Sequence, residues 1–165
     1  MKQRAIGICP HTGWAACVIV GGSPGKPEIV ANERIDILGQ AERFCFHRAA
    51  EMEPSEAGAW IARIRQKALR NAKRVLAPLV AQASTCAIVA RDVDAGTLEH
   101  ILAAHPRIHT AEGCFYRDVL REACPIPVRL VAPKALDIAS VGKISGPPWG
   151  RDQKAAALAA WSLLG

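Results

Sequence analysis

Residues 6–14 read Ile6-Gly7-Ile8-Cys9-Pro10-His11-Thr12-Gly13-Trp14. A short apolar run, Arg4 to Ile8, stops at the turn residues Pro10-His11-Thr12-Gly13, and a second, Trp14 to Val20, follows at once. Proline lacks the ladder N–H and glycine reaches positive φ, so the pair punctuates strands. The stretch predicts two strands joined by a tight turn, the first ending near Cys9. Working outward, Gly21-Gly22-Ser23-Pro24-Gly25 makes a second turn. Glu28 to Leu38 then alternates imperfectly through Ile29, Ala31, Glu33, Ile35 and Ile37, as an edge or half-exposed strand does. Three strands on two short turns predict an antiparallel meander.

Downstream the periodicity changes. Gln40 to Glu53 reads equally as a short helix or an irregular excursion. After Pro54 a long helix is expected, with Ser55 as its cap. Trp60, Ile61, Ile64, Ala68, Ala72, Val75 and Leu79 share one face at helical spacing. Arg63, Lys67, Arg70, Lys73 and Arg74 lie on the other side, Arg65 sits near the apolar face, and Pro78 should kink or end the helix. Cys86 to Ala90 is a compact apolar run expected as a buried central strand. Gly96 to Ala104 and Thr110 to Ala123 read as helices, Val128 to Val131 as a short strand, and Lys134 to Gly150 as a loop. The Ala- and Leu-rich segment Gln153 to Leu164 is the last helix. The order β-β-β-α-β-α-β-α implies a mixed sheet of five strands, with helices on its faces and sites beyond the strands' carboxyl ends.

The chain has 165 residues, expected to form a single domain, since this size buries roughly two-thirds of its unfolded surface. Apolar residues are 50% and charged ones 22%, which excludes a disordered protein. No run approaches the roughly 20 apolar residues of a membrane span. Ala5 to Cys9 is too short for a signal peptide, so a cytoplasmic location is expected. Cys9, Cys17, Cys45, Cys86, Cys114 and Cys124 form no C-x-x-C and read as buried thiols. The net charge of +6 modestly favours polyanionic partners.

Three stretches together resemble the ribonuclease H-like superfamily, and within it the RuvC-type Holliday-junction resolvases. Ile6 to Trp14 is similar to the family's strand-one motif of glycine, hydrophobic residue, aspartate and proline. Val131-Ala132-Pro133-Lys134-Ala135-Leu136 is similar to the end of the fifth strand, and Gly150-Arg151-Asp152-Gln153-Lys154-Ala155-Ala156 to the aspartate that opens the final helix. The resemblance implies a ribonuclease H-like α/β fold, DNA or RNA as partner, magnesium or manganese as cofactor, and compatibility with a homodimer. It also implies a carboxylate cluster holding two metals that cleave a phosphodiester. Here the motifs depart from the family. Cys9 stands where an aspartate is expected, and Ala87 to Ala90 lacks the fourth strand's acidic residue. Only Asp152 matches. The expected catalytic set is Asp152, Asp92 and Cys9, drawn together at the sheet's carboxyl edge, and the expected metal ligands are Asp152, Asp92 and Asp94.

Each residue also has a plainer reading. Asp152 can cap its helix, Asp92 and Asp94 can form a solvated turn, and His11 can be an ordinary turn histidine. Arg63, Lys67, Arg70, Lys73 and Arg74 would meet phosphates if nucleic acid binds, and Trp149 would stack on a base or anchor its loop. His100, His105, His109 and Glu112 invite a metal. Pro106 is expected to interrupt the helix there, which argues against His105 and His109 sharing a face. Three functions follow: a nucleic-acid-binding relative of the resolvases with impaired cleavage, an active nuclease with carboxylates displaced to Asp92, Asp94, Asp152 and Glu33, or a non-catalytic interaction scaffold.

Overall fold

The alternation along the first strand decides the layering. In β1 (Ala5–Pro10), Ile6 and Ile8 enter one apolar layer, whereas Ala5 and Cys9 pack in the opposite one. Both faces are covered, so the strand reads as a continuous apolar run rather than a half-polar one. The computed structural model describes residues 3–23 and 25–165. β2 (Trp14–Ser23) pairs antiparallel with β1 and with β3 (Lys26–Asp36). β4 (Thr85–Val89) lies parallel to β1, and β5 (Val128–Val131) parallel to β4. The sheet order is β3-β2-β1-β4-β5, a five-stranded mixed sheet with the meander on one side.

Helices cover both faces. On the Ile6 face lie α1 (Cys45–Ala50), α2 (Pro54–Val80), α3 (Leu98–Leu102) and α4 (His105–Ala123), contributing Ile64, Leu76, Ile101, Phe115 and Leu120 to the core. The other face carries α5 (Arg151–Trp161), whose buried side chains are all alanine. Small residues are needed there because helix and strand nearly touch. A Cβ at Gly7 would lie 1.8 Å from the Ala156 carbonyl oxygen.

Several boundaries differ from the sequence reading, each for a local reason. Pro54 itself occupies the first turn of α2, where its missing N–H is no loss, and Ser55 caps nothing. The helix runs through Pro78 and ends two residues later at Val80. The helix expected over Gly96 to Ala104 shrinks to α3, capped by Thr97, whose hydroxyl accepts from the His100 N–H at 3.3 Å. α4 begins at His105 rather than Thr110. Pro106 starts this helix instead of interrupting it, so His105 and His109 stand one turn apart on one uninterrupted helix. α5 begins at Arg151 and ends at Trp161, earlier at both ends than the Gln153 to Leu164 expected.

Candidate functional site

The turn after β1 builds the site. The His11 N–H donates to the Trp14 carbonyl at 2.8 Å, closing the turn. Gly13 takes φ +90°, in the left-handed region, and its carbonyl accepts from Ile37 and Leu38. The His11 ring stacks on Trp14, centroids 4.2 Å apart and nearly parallel, and the Arg34 guanidinium lies over the Trp14 ring at 4.2 Å.

From the opposite side comes Asp152, in the first turn of α5. It does not cap that helix: Gly150 occupies the cap position, and its N–H donates to Gln153 Oε1 at 3.0 Å. Asp152 instead turns to the sheet edge. Cys9 Sγ donates to Asp152 Oδ1 at 3.9 Å, and His11 Nε2 lies 2.9 Å from Asp152 Oδ2. That second distance is short, yet no aligned hydrogen bond forms, and the buried Nε2 is left without one. Ligand-type atoms of Cys9, His11 and Asp152 all fall within 4.8 Å of one another. Burial, then the neighbouring Asp152 carboxylate, pushes the Cys9 thiol up to about 12. It is a protonated thiol at neutral pH.

Burial and the adjacent Asp152 carboxylate both oppose formation of a Cys9 thiolate. Nor does the group suit a pair of magnesium ions, which want hard oxygen ligands. It offers one carboxylate, one imidazole and one soft, neutral thiol. Where a fourth-strand carboxylate would complete such a site, Val89 packs in the same apolar layer as Cys9.

Asp92 and Asp94 are not part of that cluster. Among the described residues, no cluster of three metal-ligand side chains contains Asp92 or Asp94. Both are exposed and line a concavity with Arg65, Arg117 and Asp118 that shares Val93, Cys114 and Arg117 with the cavity lined by His11. Asp94 Oδ1 accepts from the Gly96 N–H at 2.8 Å, a local turn contact. Cys9 pairs across the sheet with Ala16 and Ala16 with Arg34, so Glu33, paired with Cys17, belongs to the opposite face.

Cationic groups surround the sheet edge. A cavity of about 330 Å³ is lined by Pro10, His11, Arg91, His109, Tyr116 and Arg117. Arg117 is fixed there, donating to the Arg91 and Val93 carbonyls at 2.9 and 2.7 Å and pairing with Asp118. A second concavity holds Trp14, Arg34, Arg43 and Arg74 next to Thr12 and Gly13. Arg74 thus joins the cationic side of α2 to the turn beside the site. Along that helix Lys67 pairs with Glu42 at 2.6 Å, Arg65 with Glu122, and Arg63 lies over Trp60 at 5.2 Å. Arg70, Lys73 and Arg74 are exposed and enter no ion pair among the described residues. Trp149 donates from Nε1 to the Gly142 carbonyl at 2.8 Å and packs against the α5 layer, anchoring its loop. No described helix is long and apolar enough to cross a membrane.

Sequence reasoning undervalued His11. Its one signal was position: it sits two residues beyond Cys9 in the turn that ends the first strand.

No family model matches the sequence, and no curated protein matches it. Among solved structures the chain is similar to RuvC of Thermus thermophilus in complex with a Holliday junction substrate. The two are 14% identical, with a TM-score of 0.54 over 96% of this chain and 90% of that one. A second Thermus thermophilus RuvC structure aligns over 96% and 91% at 14% identity and a TM-score of 0.48. With strand order and helix placement already described, the chain has the ribonuclease H-like fold of RuvC.

Proposed function

We propose that this protein is a nucleic-acid-binding relative of the RuvC-type resolvases in which two-metal phosphodiester cleavage is lost or strongly impaired. One observation carries the reading. At the sheet edge Asp152 keeps company with a protonated thiol and an imidazole rather than with further carboxylates. Two-metal catalysis needs anionic oxygens that hold both ions and polarise the attacked phosphate. Binding is supported by the net charge of +6, the exposed cations Arg70, Lys73 and Arg74, and the Holliday junction bound by the similar RuvC structure. Backbone phosphates are the groups such cations would meet, so shape rather than base sequence is the expected basis of recognition.

The test compares the native protein with Cys9→Asp on junction, duplex and RNA–DNA hybrid substrates, with magnesium and with manganese, which tolerates softer ligands better. Binding by both proteins, with cleavage gained only by Cys9→Asp, is the expected result. Robust magnesium-dependent cleavage by the native protein, abolished in Asp152→Asn, overturns the reading in favour of an active nuclease.

A further inference from the structure

We propose that His47, His105 and His109 form a binding site for a zinc-class divalent cation, with Glu112 as the residue that orients His47. The site shares no residue with Cys9, His11 and Asp152 and does not depend on the function proposed above.

Two elements bring the histidines together. His105 and His109 are four residues apart at the start of α4, so they stack on one face. Their Nε2 atoms are 2.9 Å apart. His47 arrives from α1, its ring centroid 5.1 Å from His105 and 4.8 Å from His109. One ligand nitrogen from each ring lies within 4.8 Å of the others. Zinc–nitrogen bonds of about 2.0–2.1 Å place tetrahedral ligand atoms about 3.3 Å apart. Small side-chain rotations therefore close the present spacing around one ion.

Glu112 is what distinguishes this cluster from three surface histidines. The residue is 2% exposed, and its carboxylate's partners are the ring Nδ1 of His47 at 2.9 Å and the His47 backbone N–H at 3.3 Å. A buried carboxylate is costly unless it does such work for a donor. Holding Nδ1 as an N–H leaves Nε2 as the ligand atom, with the ring orientation set. Metal-binding histidines are characteristically held by a carboxylate in this way.

The donor set selects the ion. Three imidazole nitrogens suit zinc, or cobalt and nickel, and are poor ligands for magnesium or calcium. Three protein ligands leave a fourth tetrahedral position open, and His105 and His109 are exposed to solvent. A bound ion would clasp the short helix α1 onto the first turns of α4. His109 also lines the cavity that reaches His11, Arg91 and Arg117, so the ion would stand at that cavity's rim.

The experiment titrates the chelator-stripped 165-residue chain with zinc, and in parallel with cobalt, in excess magnesium at neutral pH. Expected are one equivalent of histidine-bound metal, a raised Tm, and a visible cobalt spectrum without a thiolate charge-transfer band. The exposed pair His105→Ala and His109→Ala together should weaken zinc binding at least about 100-fold, and Glu112→Gln alone about 10–100-fold. Should Glu112→Gln misfold by circular dichroism, His47→Ala, which removes a ligand together with its orienting contact, should weaken zinc binding at least as much. Zinc affinity unchanged in the His105→Ala, His109→Ala double variant overturns the proposal. So does a cobalt spectrum dominated by a thiolate band, which would give the metal to Cys9.

Discussion

Gly7 is the point where sheet and helix approach most closely. A Cβ there would lie 1.8 Å from the Ala156 carbonyl oxygen, so only a hydrogen fits. Gly7→Ala must push α5 off the sheet, and overpacking of this kind costs about 1–3 kcal/mol or more. Chemical denaturation should show a lowered midpoint at unchanged slope, while Gly39→Ala, where nothing lies within 4 Å, should be nearly neutral. Cys9, two residues on, makes a pH prediction. Its thiol moves from an ordinary 9.0 to about 12 on folding, chiefly by burial and then by Asp152, and Cys45 moves to about 12 chiefly by burial. The folded state thus holds protons that the unfolded chain releases above pH 9. These thiols favour the fold below about pH 9 and lose that contribution as pH rises toward 12. Denaturation midpoints measured from pH 8 to 11 should fall, and Cys9→Ser should make the fall shallower.

At the scale of the element, α2 shows how one helix divides its charges. Ala57, Ile64, Ala68, Ala72, Leu76 and Leu79 are buried, and the opposite side is cationic. Not all of those cations are equivalent. Lys67 is neutralised by Glu42 and Arg63 is drawn over Trp60, whereas Arg70, Lys73 and Arg74 have no acidic partner among the described residues. Replacing Arg70, Lys73 and Arg74 with glutamine should weaken nucleic-acid binding and flatten its salt dependence by up to about 0.9 per lost phosphate contact. Lys67→Gln should do much less. Titrations on duplex, junction and single strands at several salt concentrations check this, and unchanged binding would mark the face as merely solvated. α4 carries a different lesson. Pro106 looks like a breaker in the sequence but occupies the first turn, and that single placement aligns His105 with His109.

At the scale of the whole molecule, magnesium is the cofactor that the motif resemblance implies. Asp152 supplies the one carboxylate of the sheet-edge group, so magnesium should leave the Tm of the native protein almost unchanged. Cys9→Asp adds a second hard oxygen ligand beside it, and magnesium should then raise the Tm, because a ligand that binds only the folded state stabilises it by mass action. A magnesium-dependent rise in the native protein that disappears in Asp152→Asn would show that the group holds the ion after all.

The architecture was legible because its signals are local. Turn clusters at Pro10 to Gly13 and Gly21 to Gly25, the helical spacing from Trp60 to Leu79 and the apolar run at Cys86 each report on neighbours along the chain, and together they prescribe a meander followed by alternating elements. Cys9 and Asp152 were legible as candidates because the motif resemblance located a strand end and a helix start. The tertiary structure alone decided which candidates meet. It set Asp152 against Cys9 and His11 from the far end of the chain, left Asp92 and Asp94 exposed outside that cluster, and put Glu33 on the far face of the sheet. It also drew His47 to His105 and His109, over Glu112, from a helix the sequence left ambiguous. The reason is physical: periodicity records which face of an element is buried, but which side chains converge at an edge depends on the packing of α5 and α4 against the sheet and its neighbours, and no local pattern encodes that distance.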